Sequence, residues 1–117
     1  VDFNDYQRMA QRTSNTSMGI DKVANGALGL AGEAGECAEI VKKHMYQGHE
    51  LDRKAIVEEL GDVLWYVAEA ATGINVSLDE IAGANLDKLW ARYPHGFDAD
   101  RSIHREHRAP DQAQDGE

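Results

Sequence analysis

Proline ends helices, and this chain does not use it before Pro94; Pro94 and Pro110 are its only two. Everything upstream is free to be helical, and its apolar residues recur at steps of three and four, with no alternating strand pattern anywhere. The spacing predicts a first helix over about 4–12, followed by a polar loop with Ser14, Asn15, Thr16 and Ser17. A second helix is expected over about 24–46, ending at Gly48. Asp52 can cap a third that runs to about 72, with Gly73 behind it. Ser77 and Glu80 form a capping-box pair for a fourth, which continues to Tyr93 and stops at Pro94. The expected fold class is therefore all-α, an antiparallel bundle of about four helices joined by short connections. Residues 98–117 are polar without an apolar period and read as a mobile tail, which leaves residues 1–97 as the domain.

A chain of 117 residues is about one domain. Its 21 acidic residues outnumber 12 basic ones for a net charge of −9, which argues against a duplex nucleic-acid surface. The charge leaves room for a phosphorylated ligand, because a bound divalent cation inverts the local field. Cys37 stands alone, so no disulfide forms within the chain. No apolar run suits a membrane span, and the Val1-Asp2-Phe3-Asn4-Asp5 start lacks the pattern of a signal peptide. A cytoplasmic protein with a trimmed start is the expectation.

The chemistry concentrates in two acidic pairs. On the second helix Leu30, Ala34, Cys37, Val41 and Met45 form a stripe, and Glu33 and Glu36 share one flank of it, roughly 60° apart. On the third, Ile56, Leu60, Val63, Leu64, Val67 and Ala71 form the stripe, with Glu59 and Asp62 at the same offset. Both segments read Glu-x-Gly-acid. Packed antiparallel, the stripes bring four carboxylates together at the seam, where their repulsion calls for a hard divalent cation such as Mg²⁺, with Mn²⁺ as the substitute. One such pair alone would be an ordinary solvated face. The interior glycines Gly32, Gly35 and Gly61 each cost about 1 kcal/mol of helix propensity, which points to close approach by a backbone or a ligand. None of His44, His49, His95, His104 and His107 has Glu-x-x-His spacing to these acids, so an all-oxygen site is favoured over di-iron. A metal pair formed by His104 and His107 is the weaker reading beside two solvated side chains.

Asn85, Lys88 and Arg92 form a ladder on the fourth helix that can hold phosphate oxygens, or can simply be surface polar groups near a helix C-terminus. Asn85 is expected on or near the buried stripe of Leu78, Ile81, Ala82, Leu86, Leu89 and Tyr93. Trp65 falls opposite the apolar stripe of the third helix with Glu58 and Glu69, where another subunit would cover it or a base would stack on it. Cys37 reads as a small core residue. Phe3, Tyr6 and Gln7 either face a base or pack an amphipathic helix.

The run Gly-Leu-Ala-Gly-Glu33-Ala-Gly-Glu36, with Glu58-Glu59-Leu-Gly-Asp62-Val-Leu-Trp-Tyr and Asn85-Leu-Asp-Lys88-Leu-Trp-Ala-Arg92-Tyr93-Pro94, resembles the MazG-like nucleotide pyrophosphohydrolases. The likeness covers roughly 6–97. It implies an oligomeric all-α fold, a homodimer or homotetramer, with Mg²⁺ held by Glu33, Glu36, Glu59 and Asp62. It further implies triphosphate contacts from Asn85 and Lys88, with Arg92 and Tyr93 as further substrate-binding candidates; Trp65 joins them from its position alone. Where the fuller family pattern has two adjacent glutamates, the first position here is Gly32. The general base is therefore open between Glu36, Glu39 and a metal-bound hydroxide, with Lys88 expected to stabilise charge in catalysis. The implied activity is cleavage of (deoxy)nucleoside triphosphates to the monophosphate and pyrophosphate. The alternatives are a phosphoribosyl-ATP pyrophosphohydrolase and a helical module that binds metal or nucleotide without catalysis.

Overall fold

The structure, a computed structural model, describes residues 1–105. Among these the chain forms five α-helices and no strand, as the late prolines and the apolar period lead one to expect. It divides into two units, Val1–Leu78 and a second from Asp79 onward.

The first unit is built on an antiparallel hairpin of α2 (Ile20–Tyr46) and α3 (Arg53–Gly73). The turn between them uses Gly48 at φ 75°, and the His44 imidazole bonds the His49 carbonyl oxygen at 2.8 Å. Asp52 caps α3 by accepting from the Ala55 amide at 3.0 Å. Helix α2 starts four residues before the predicted position, at Ile20, directly behind Gly19 with φ 83°. The seam is also turned from the predicted stripe. It runs through Lys22, Gly26, Gly29 and Glu33, roughly 90° around the helix, while Val41 and Met45 stay exposed. Glycine causes the turn. A Cβ at Gly26 would lie 2.7 Å from the Ala70 Cβ, and one at Gly29 would overlap the Tyr66 ring, so the backbones approach along that line.

Helix α1 (Phe3–Ala10) is capped by Asp2, which accepts from the Asp5 amide at 2.8 Å. The Gln7 amide ties it down: Nε2 donates to Thr72 Oγ1 at 3.1 Å and the Val76 carbonyl at 3.0 Å, and Oε1 accepts from the Leu78 amide at 2.7 Å. Gln7 is thus a packing residue of α1. The apolar core is Ala68, Ala71 and Leu78, with Tyr6 and Val67 against it. The largest fully buried side chain among the described residues is a glutamate, Glu69.

Helix α4 (Leu78–Arg92) starts directly after Ser77 and stops before Pro94. In the second unit Tyr93 and Phe97 stack at 5.4 Å between ring centres. The first part of the expected mobile tail is in fact structured. Asp98 caps a short helix, α5 (Ala99–Ile103), and the Arg101 guanidinium donates to the Arg92 carbonyl at 2.6 Å. The remainder of that expectation, 106–117, and with it His107, lies outside the described residues.

Candidate active site

Glu33 sits two helical turns after Gly26, on the line along which α2 meets α3, and Glu59 and Asp62 face it from one flank of α3. Carboxylate oxygens of Glu33, Glu59 and Asp62 all lie within 4.8 Å of one another. Contact with the Glu33 carboxyl, partial burial, and the charges of Glu33, Asp62 and Glu36 push the Glu59 carboxyl up to about 7. Glu59 Oε2 is closed to solvent and no donor among the described residues bonds it. Such an oxygen calls for a proton or a cation, and an all-carboxylate donor set suits a hard divalent ion.

Of the four ligands expected from sequence, the structure groups three. Glu36, one turn beyond Glu33, is exposed and outside that group, although its charge still acts on Glu59. Glu39 pairs with Lys42 at 3.1 Å on a half-exposed surface. Among the described residues Gly32, Gly35 and Gly61 meet nothing within 4 Å, so close approach there does not explain them; Gly26, Gly29 and Gly73 are the packing glycines.

Beside the acids lies an open pocket of about 330 Å³ lined by Glu33, Asp62, Trp65 and Tyr66. Here the structure corrects the expectation for Trp65. Its indole Nε1 donates to the Ala10 carbonyl at 3.1 Å and to Thr13 Oγ1 at 2.9 Å, so the chain's own N-terminal arm covers that face of α3. Glu69, expected on the same open face, is completely enclosed. The cause is tertiary: a loop that folds back over a helix leaves no mark on that helix's period. Tyr66 was not anticipated. Its ring meets Trp65 edge-on, with centres 5.1 Å apart at 82°, and rests on Gly29. The readable signal was Gly29 itself, a helix-interior glycine in register with the acids. Tyr6 approaches from α1, and burial together with the Asp62 charge raises its hydroxyl pKa.

Asn85 and Lys88 stand exposed on α4, with Arg92 one turn further on and partly covered. Exposure of Asn85 replaces the enclosed position that periodicity assigned to it. Tyr93 packs on Phe97. Among the described residues the histidines take no part in the acidic group: His104 pairs with Asp100 at 3.1 Å, and His44 closes the hairpin turn.

No described helix is long and apolar enough to cross a membrane. No solved structure gave a significant match. A curated protein, the Gene 37 protein of Mycobacterium phage L5, is 38% identical over 81 residues, covering 66% of this chain and 71% of its own length. The family profile described as the MazG nucleotide pyrophosphohydrolase domain matches residues 21–97, which take in α2, α3 and α4 with every acid of the cluster. The chain therefore belongs to the MazG nucleotide pyrophosphohydrolase domain family.

Proposed function

We propose that the protein hydrolyses (deoxy)nucleoside triphosphates to the monophosphate and pyrophosphate in a Mg²⁺-dependent reaction. The observation that carries this reading is the convergence of Glu33, Glu59 and Asp62 within 4.8 Å around a carboxylate oxygen without a partner. These three residues would hold the cation, with Glu36 at hand one turn away. A divalent ion there neutralises phosphoryl oxygens and lowers the pKa of water. Water oxygen bonds to the α phosphorus, the bond from that phosphorus to the bridging oxygen breaks, and pyrophosphate leaves with the electron pair. Glu36 is the base we assign to the water's proton, because Glu39 is engaged with Lys42. Asn85, Lys88 and Arg92 are assigned to the triphosphate, supported by their one-turn spacing on α4 and by the family resemblance, with Tyr93 beside them. Trp65 and Tyr66 supply ring surface for the base in the pocket they line.

The proposed protein is cytoplasmic, where its substrates are held, and a homodimer or homotetramer. Ile20, Leu28, Val57 and Leu60 are all exposed on α2 and α3, which supports burial against further copies. The direct test incubates the purified protein with Mg²⁺ and a panel of canonical and modified triphosphates plus phosphoribosyl-ATP, measuring pyrophosphate. Release from a triphosphate, reduced roughly ten- to a hundredfold in kcat/KM by Lys88→Ala, is the expected result. Turnover confined to phosphoribosyl-ATP, or none at all, would replace the reading.

A further inference from the structure

Glu69 has no part in the proposed chemistry, yet more side chains close on it than on any acid of the cluster. Its Oε1 accepts from Gln11 Nε2 at 3.0 Å and Ser14 Oγ at 2.8 Å. Its Oε2 accepts from Thr16 Oγ1 at 2.7 Å and Asn25 Nδ2 at 2.9 Å. The buried Lys22 ammonium lies 3.5 Å from Oε1 and donates to Ser14 Oγ at 2.8 Å and Thr16 Oγ1 at 3.2 Å. Gln11, Ser14 and Thr16 all belong to the arm that follows α1. One turn before Glu69, Trp65 bonds the same arm at Thr13 and its junction with α1 at Ala10. The arm is therefore pinned to α3 at two successive turns, and the second pin is a wall of the pocket.

We infer that Glu69 is a positioning residue: with Lys22 it clamps the 10–16 segment across α3, and that segment holds the Trp65 ring against the substrate pocket. A buried polar cluster with every member satisfied admits one geometry where an apolar contact admits several. The same bonds occupy the indole N–H, so Trp65 offers a ligand its ring face and no hydrogen-bond donor. The wall it forms selects for a flat ring and does not read the edge of a base. The substrate half of this inference rests on the proposed nucleotide site; the clamp itself does not.

The test uses a Trp90→Phe background, in which Trp65 is the remaining tryptophan of the chain's two. There Glu69→Gln keeps the side-chain shape but sets an amide donor among donors. Trp65 emission is expected to shift to the red and its quenching by acrylamide to rise, well below the melting temperature. KM for the preferred triphosphate is expected to rise about three- to tenfold while kcat holds within about twofold, the pattern of lost stacking rather than lost chemistry. Should Glu69→Gln not fold, Thr16→Val decides on the same readouts, because it removes one donor and leaves Lys22, Gln11, Ser14 and Asn25 in place. A lowered melting temperature with emission, quenching and KM unchanged would make Glu69 a purely structural residue and overturn the inference. A wild type that neither binds nor hydrolyses any nucleotide overturns the proposed function instead, and emission and quenching still decide the clamp.

Discussion

Glu59 and Glu69 lie ten residues apart on α3, burial raises the pKa of both, and yet the two carboxyls end on opposite sides of the ordinary range. At Glu69 burial works upward, but hydrogen bonds from Thr16, Asn25, Gln11 and Ser14 overcome it and hold the carboxyl down at about 2. At Glu59 the Glu33 carboxyl is the main influence and acts in the same direction as burial, lifting it to about 7. The signs for stability follow. The folded state takes up a proton at Glu59 more readily than the unfolded chain, so its contribution is full below pH 4.5 and is lost as pH rises through about 7. Glu69 contributes above pH 4.5, and that contribution, on the order of 3 kcal/mol, is lost as pH falls toward about 2. The melting temperature without divalent ions is therefore expected to fall on both the acid and the neutral side, and Mg²⁺ is expected to remove the neutral fall alone. Glu59→Gln should abolish pyrophosphate release, raise the metal-free melting temperature near pH 7 and flatten the neutral limb. Calorimetric scans from pH 3 to 8 check this; a wild type that gains metal-free stability between pH 5 and 8 would contradict the account of the cluster.

Between elements, the decisive contact is the glycine line of α2 against α3. Gly29→Ala would drive a methyl into the Tyr66 ring, at a cost of about 1–3 kcal/mol against a helix-propensity gain of about 1 kcal/mol. Gly32→Ala meets nothing within 4 Å among the described residues, so in a monomer it should gain up to about 1 kcal/mol. Urea titrations of the two variants are expected to move in opposite directions, and equal shifts would mean the seam is not set by glycine. The same line shows what a sequence can tell. Helix existence, the Asp52 cap and the shared flank of Glu59 and Asp62 depend on local spacing, and a helical period reports local spacing well. The rotation of the seam depends on which small residues let two backbones meet, and Gly26, Gly29, Gly32 and Gly35 look alike until the partner helix is in place. Trp65 and Glu69 read as a face open to another subunit or a base because nothing in the period of α3 announces that Gln11, Ser14 and Thr16 return across it. The clue lay elsewhere, in a cluster of hydroxyl and amide side chains too polar for a loop with nothing to bind.

At the scale of the whole molecule the question is what stabilises a first unit whose fully buried apolar side chains among the described residues are Ala68, Ala71 and Leu78. Its outer faces are not those of a solvated helix pair. On α2, Ile20, Ala24, Ala27, Leu28, Ala31, Gly35 and Ala38 are all exposed, and on α3 so are Val57 and Leu60. Leu28 is 75% and Val57 68% exposed, and removing each from water is worth about 1.5–3 kcal/mol. Small residues between large ones, at helical steps, make a surface on which a second helix can lie closely. A further copy of the chain is the partner we propose for it. Sedimentation of the wild type should then give a dimer or larger species at micromolar concentration, with a melting temperature that rises with protein concentration. The double variant Leu28→Glu, Val57→Glu should sediment as a monomer and melt lower, and its Gly32→Ala derivative should regain the propensity gain that a packed partner would deny. Trp65→Glu is the contrasting control, because its indole is bonded within one chain and its loss should loosen the arm without dissociating copies. A wild type that stays monomeric and melts at one temperature over a hundredfold range of concentration would leave these apolar faces without a partner and overturn the assembly.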